Sequence, residues 1–255
     1  MTKSELKSLK QLHLKKYRDE QKFFLVEGKR SVVEAIKEKC DIDLILICNE
    51  LAEKEKELIR QIEKNMIRFE IIPYNEIQRI SDVENSQGII AKIKFLNYDE
   101  SQIFNKKNEK KRIIFLENIS DPGNMGTIIR TADWFNIDSV IICGDSVDIY
   151  NPKVVRSTMG SLFHVPIFVF DDVQKTIKKL KDIGYTIYAS DLKGESYNKV
   201  SYSIKSVIVF GNEAHGISET IKKYADKLIT IKGKGKAESL NVAVSVGIVI
   251  SQIDV

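Results

Sequence analysis

Cysteine, proline, glycine and long apolar runs are all scarce in this chain, and each shortage excludes something. The three cysteines, Cys40, Cys48 and Cys143, form no Cys-x-x-Cys pair and have no histidine at ligand spacing. That argues against a disulfide framework and against a zinc site, and leaves reduced thiols as the expectation. Four prolines and 13 glycines in 255 residues exclude collagen-like and low-complexity chains, and a hydrophobic share of 43% is enough to build a core. No internal repeat is visible. The longest apolar stretch, Asn241–Ile250, falls far short of the ~20 residues a membrane span needs. The first twenty residues have no apolar h-region and carry acids, so neither a secretory nor a transit signal is read there and a cytoplasmic location is expected. The 40 basic and 36 acidic residues leave a net charge of +4, which permits a nucleic-acid partner without requiring one.

Catalytic signatures are missing as well. Gly-x-Gly-x-x-Gly does not follow the first strand of the second half, which counts against a dinucleotide dehydrogenase. The Gly233-Lys-Gly-Lys-Ala-Glu-Ser239 run has the wrong spacing for a phosphate loop, so an NTPase is disfavoured. There is no Gly-x-Ser-x-Gly elbow and no His–carboxylate metal pattern. His13 is expected on a surface helix and His164 in or near the core, while His215 lies in a candidate loop without an obvious partner.

What is present is a strand–helix alternation that runs twice. Residues 4–17 read as a helix through Leu6, Leu9, Leu12 or His13, and Tyr17. Phe23–Val26, Asp43–Cys48, Ile67–Ile72 and Gln87–Phe95 read as strands. Between them fall helices over 27–39, 53–64 and from a cap at Asn75 to Val83, making a small α/β domain over residues 1–95. Residues 96–111 are polar and dense in charge, as an exposed linker would be. The alternation restarts at Ile113–Leu116, a continuous apolar run suited to a strand buried on both faces. Strands at 139–143, 165–170, 186–189, 207–210 and 228–231 follow, with helices over 124–136, 151–162, 171–183, 218–227 and 239–253. The expected fold class is therefore α/β, with an open, mostly parallel sheet over residues 112–255.

In such sheets ligands bind beyond the carboxyl ends of the strands. Three post-strand segments are rich in Asn, Ser, Glu, Arg and Gly: 117–130, 211–218 and 233–241. Singly, each has a plain explanation: turn chemistry at Asp121-Pro-Gly, a helix cap at Asn124 or Ser239, ordinary loop glycines at Gly211 and Gly216. Polar groups converging on one edge of a sheet are what a small-molecule site requires.

The residues Asp121-Pro-Gly-Asn-Met-Gly-Thr-Ile-Ile-Arg-Thr-Ala132, Phe210-Gly-Asn-Glu-Ala-His-Gly-Ile-Ser218, and Ile231 with Ser239-Leu-Asn-Val-Ala-Val-Ser245 resemble the three motifs of the SpoU/TrmH family. These are S-adenosyl-L-methionine (AdoMet)-dependent RNA ribose 2′-O-methyltransferases of the SPOUT superfamily. The resemblance covers residues 117–250. A weaker one, at Phe24-Leu-Val-Glu-Gly-Lys-Arg30, likens residues 1–95 to a substrate-binding domain related to ribosomal RNA-binding proteins. The resemblance implies a C-terminal trefoil knot that holds AdoMet, a homodimer with the active site near the subunit interface, and no metal. It implies catalytic or target-orienting roles for Arg130, Asn124, Glu213, Ser239 and Asn241. It implies cofactor contacts from Gly211, Ile231 and Leu240, with Ala189 a further candidate.

Arginine stays charged at working pH, so Arg130 is expected to bind the phosphate beside the target ribose and stabilise the developing alkoxide rather than act as a simple base. Asn124, six residues earlier, is expected at the same end of its helix. RNA phosphate contacts are expected from Lys29 and Arg30 and from basic clusters at 15–18, 106–112 and 232–236. Ribosomal RNA of the large subunit is favoured over tRNA as substrate. The competing readings are a tRNA ribose methyltransferase, a catalytically inactive RNA-binding relative, an AdoMet enzyme acting on a base or small molecule, and, least supported, a nucleotide-dependent oxidoreductase.

Overall fold

In a computed structural model, which describes residues 1–107, 111–212 and 214–253 and all their side chains but that of Lys3, the strands form two sheets. The chain divides into two compact units, residues 1–97 with 148–164, and residues 98–147 with 165–255.

The first unit runs α1 (Lys3–Gln11), α2 (Lys15–Gln21), β1 (Phe23–Glu27), α3 (Lys29–Lys37), β2 (Ile42–Cys48), α4 (Asn49–Lys54), α5 (Lys56–Lys64), β3 (Phe69–Ile72), α6 (Tyr74–Ile80) and β4 (Ile89–Lys94). Its strand order is β1-β4-β2-β3, antiparallel except for the β2–β3 pair. The expected helix over 4–17 is two helices. The chain breaks at Leu14, which is extended, and Arg18 fills the break by donating from Nη1 to the carbonyls of Leu12 and His13. Arg18 is 2% exposed and its Nη2 lies 2.6 Å from Asp148 Oδ2. It is therefore a buried structural cation, which removes it from the expected RNA-facing cluster at 15–18. Asn75 caps nothing, because α6 begins one residue before it, after Pro73. His13 is half-buried just past α1, with Nε2 2.5 Å from the Ile80 carbonyl. His164 is exposed rather than in the core, 3.4 Å from Glu34.

Residues 148–164, which chain order alone would give to the second domain, complete the core of this first unit. Tyr150 packs between Phe24 and Phe95 with ring centroids 4.5 and 4.0 Å away, and its hydroxyl accepts from the Leu96 N–H. Within the segment lies α9 (Pro152–Thr158), with Asn151 capping and Pro152 at the first position as expected. The helix stops at Met159 and Gly160, both left-handed, before a single 3-10 turn at 161–163.

The second unit comprises α7 (Ser101–Phe104), β5 (Lys111–Glu117), α8 (Pro122–Trp134), β6 (Ser139–Cys143), β7 (Ile167–Phe170), α10 (Val173–Asp182), β8 (Thr186–Ser196), β9 (Lys205–Phe210), α11 (Glu219–Tyr224), β10 (Lys227–Thr230) and α12 (Val242–Ile250). The sheet order is β10-β8-β9-β5-β6-β7 and every pairing is parallel. Ile113, Ile114, Phe115 and Leu116 are fully buried, so the apolar run is a central strand covered on both faces, as its composition requires.

The expected linker is in part structural. Ile103 of α7 is fully buried in the same cluster as Phe115, Phe168 and Leu180, and its carbonyl accepts from the Tyr185 hydroxyl at 3.1 Å. β8 is longer than expected. β10 pairs first with Tyr188 and Ala189, then with Glu195 and Ser196, so residues 190–194 are passed over. A Cβ at Gly194 would lie 2.5 Å from the Ile229 main chain, so only glycine permits this approach.

No helix of the described residues is long and apolar enough to cross a membrane.

Candidate functional site

Because every strand of the second sheet runs the same way, the loops after β5, β6, β9 and β10 share one edge. The chain leaves β5 towards β6 and β7, returns to β8 on the other side, and leaves β9 towards β10. Connections therefore diverge between β5 and β9, and this switch point is where an open parallel sheet forms a ligand crevice.

The three polar segments meet there. Asn241 caps α12, accepting from the N–H groups of Ala243 and Val244, and its Nδ2 donates to Asn124 Oδ1 at 2.9 Å. That bond joins the first and third segments across 117 residues of chain. Asn212 Nδ2 donates to the Asn118 carbonyl at 3.0 Å and joins the first to the second. The cap of α8 is Asp121, whose Oδ1 accepts from the Asn124 N–H at 2.7 Å, so the Asn124 side chain is spent on Asn241 rather than on capping. Likewise Asn241, not Ser239, caps the last helix; Ser239 is exposed.

Arg130 does not share the end of α8 with Asn124. Six residues of helix separate them by about 9 Å along the axis and by roughly a third of a turn. Arg130 is exposed and forms no hydrogen bond or ion pair among the described residues. It shares its face of α8 with Thr127 and with Trp134, the latter 84% exposed. Glu213 lies outside the described residues.

Of the expected cofactor contacts, Gly211 is buried, and a Cβ there would overlap the Gly216 carbonyl. The loop's own fold thus demands this glycine. Ile231 is half-buried and Leu240 is 46% exposed, an apolar side chain presented at the edge where a planar ring could lie. Ala189 is fully buried inside the core cluster. Lys29 is held by Glu55 at 2.7 Å, whereas Arg30 is exposed. Lys232, Lys234 and Lys236 are exposed at the start of the third segment.

Sequence reading missed Glu117, Asn118 and Asn212. Glu117 is 2% exposed, and its Oε2 accepts from the Ser218 N–H at 2.8 Å. Asn118 is left-handed, with φ +57°, and its Oδ1 accepts from the Asp145 N–H at 2.8 Å. A carboxylate closing an otherwise apolar strand, followed by asparagine, is the signal that was available.

Burial pushes the Cys143 thiol up to about 12 and the Cys40 thiol up to about 11. Both are expected to resist iodoacetamide in the native protein at pH 7.5 and to react on unfolding, which mass spectrometry would show. No three His, Cys, Asp or Glu side chains of the described residues group to hold a metal.

Both halves of the chain are similar to known proteins. The SpoU rRNA Methylase family profile matches residues 111–251, and the MRM3-like substrate binding domain matches residues 3–91. The chain is 33% identical over 211 residues to an uncharacterised tRNA/rRNA methyltransferase of Borreliella burgdorferi, covering 78% of this chain and 92% of that one. It is 29% identical to the Bacillus subtilis 23S rRNA (guanosine(2553)-2′-O)-methyltransferase RlmP, over 96% and 94% of the two chains. Among solved structures, the AdoMet-bound rRNA methyltransferase of Sinorhizobium meliloti superposes with a TM-score of 0.88 at 27% identity, over 99% of this chain and 94% of that one.

Proposed function

The chain belongs to the SpoU rRNA methylase family, and from that premise we propose that it transfers a methyl group from AdoMet to a ribose 2′-hydroxyl of large-subunit ribosomal RNA. The observation that carries this reading is the Asn241–Asn124 hydrogen bond at the carboxyl edge of the parallel sheet. It draws together the two segments whose residues resemble the family's target-facing and cofactor-facing motifs. The rRNA preference is supported by the match to RlmP over nearly the whole of both chains.

When bound, AdoMet supplies a sulfonium methyl group already activated for transfer. The work of the protein is then positioning and charge stabilisation. Leu240 and Ile231 offer apolar walls for the adenine, and the main chain after Gly211 offers donors and acceptors to the nucleoside. The fixed Asn124–Asn241 pair orients the ribose. Arg130, solvent-facing and without an ion-pair partner among the described residues, meets a phosphate and stabilises the alkoxide as the 2′-hydroxyl loses its proton. Glu213 and Ser239 belong to the same proposal as orienting groups.

Residues 1–95 are assigned to RNA capture, with Arg30 and Lys29 among the phosphate contacts, and residues 112–255 to methyl transfer. A homodimer is part of the reading. Trp134 on α8 and Val244 on α12 are large exposed apolar groups on helices that pack together near Thr131 and Gly247, and burying them against a second copy would put Arg130 beside the interface. The trefoil knot that the resemblance implies is likewise part of the proposal. A cytoplasmic location fits an enzyme of RNA.

The test is transfer of labelled methyl from AdoMet to separated rRNA and tRNA from cells lacking the protein, with position and 2′-O linkage read by mass spectrometry. Label in 23S rRNA ribose is expected. Label in tRNA alone would overturn the substrate class, and label in neither would leave a binding protein.

A further inference from the structure

Resting on the AdoMet reading, we propose that Glu117 and Asn212 are positioning residues that tie both ends of the loop 211–218 to the end of β5, so that the loop meets the cofactor already folded. At one end, the Asn212 amide donates across the switch point to the Asn118 carbonyl at 3.0 Å. At the other, the Ser218 N–H donates to the buried Glu117 carboxylate at 2.8 Å. Between the ties, residues 214–216 bond back to Asn212. Its Oδ1 accepts from Ala214 N and His215 N at 2.8 and 3.3 Å, and its carbonyl accepts from Gly216 N at 2.8 Å. Asn118 is in turn tethered through Oδ1 to Asp145, so the anchor is fixed from the β6 side as well.

Stability alone does not account for Glu117. A carboxylate that is 2% exposed at the end of a strand of Ile, Phe and Leu is unfavourable to bury, and an apolar residue there would serve the core as well or better. A carboxylate does one thing an apolar side chain cannot, which is to hold the N–H at the far end of the loop. Without the ties, Gly211 and the left-handed Gly216 would let the loop sample many conformations, and ordering it would oppose binding. Pre-folding removes that opposition.

The experiment is calorimetric titration of AdoMet into full-length wild type, Asn212→Asp, Glu117→Ala and Glu117→Gln, with melting temperature and RNA affinity measured alongside. Asn212→Asp keeps the oxygen that the turn N–H groups need but replaces the donor facing Asn118 with a second oxygen. It is expected to weaken AdoMet binding about tenfold, with RNA affinity within about twofold of wild type and the fold intact. Glu117→Ala is expected to weaken AdoMet binding to a similar degree, and Glu117→Gln, which retains an acceptor, to recover most of the loss. Two outcomes overturn the positioning role while wild type binds AdoMet: variants that bind as wild type does, or equal losses in Glu117→Gln and Glu117→Ala accompanied by weakened RNA binding and a collapsed melting temperature. Wild type that binds no AdoMet overturns the functional reading itself, and this inference with it.

Discussion

Replacing Arg130 with lysine is expected to lower the single-turnover rate of methyl transfer by about 10²–10³-fold while AdoMet affinity stays unchanged, the range seen when one preorganised charge-stabilising donor is lost. The expectation follows from what Arg130 lacks. It is exposed on α8 and has neither a carboxylate nor a carbonyl partner among the described residues. Its substitution therefore breaks no hydrogen bond or ion pair among the described residues, and stability should change by no more than about 0.5 kcal/mol. A salt bridge on a helix surface would behave the same way in stability but would leave the rate alone. Lysine keeps the positive charge and loses the planar fork, which can grip a phosphate with two parallel N–H groups while bearing on an adjacent oxygen. A rate within threefold of wild type at saturating AdoMet and RNA would sink the role. Arg130→Ala should fall further, because it removes the charge as well.

How much of this was legible beforehand depends on the range of the interaction involved. The central strand at 113–116 was readable because burial on both faces demands an unbroken apolar run. The cap at Asn151 was readable because it is local hydrogen-bonding chemistry, whereas the cap of α8 was expected at Asn124 and falls three residues earlier, at Asp121. The break after α1 was not, since apolar spacing from Leu6 to Tyr17 runs straight through it; what stops the helix is a guanidinium from Arg18 held by an aspartate 130 residues away. Ile103 was hidden in a polar run because a single buried turn leaves no periodicity to count. The site divides in the same way. Asn124 and Asn241 were found by residue type and motif order, and the structure supplies the bond between them. Glu117 and Asn118 were passed over because a residue ending a strand looks like the start of a loop until the neighbouring strand's loop is seen to hang from it.

The same long-range logic makes Asp148 a sensitive position in the first unit. Asp148→Ala is expected to destabilise that unit by about 3–5 kcal/mol, the cost of leaving a buried charge without its partner. Arg18 is 2% exposed and Asp148 15%, with Nη2–Oδ2 and Nε–Oδ2 distances of 2.6 and 3.1 Å, so solvent cannot replace the lost carboxylate. The Leu12 and His13 carbonyls would still accept from Nη1, which favours the lower end of the range. Urea unfolding followed by far-ultraviolet circular dichroism is the suitable readout, because the single tryptophan, Trp134, lies in the second unit and would report on the wrong one. Removing both charges together, as Arg18→Met with Asp148→Leu, should regain most of the loss. A loss below about 1 kcal/mol in Asp148→Ala would mean that the pair behaves as an exposed one. It would also mean that residues 148–164 are held to the first unit by the stacking of Tyr150 on Phe95 and Phe24 rather than by charge.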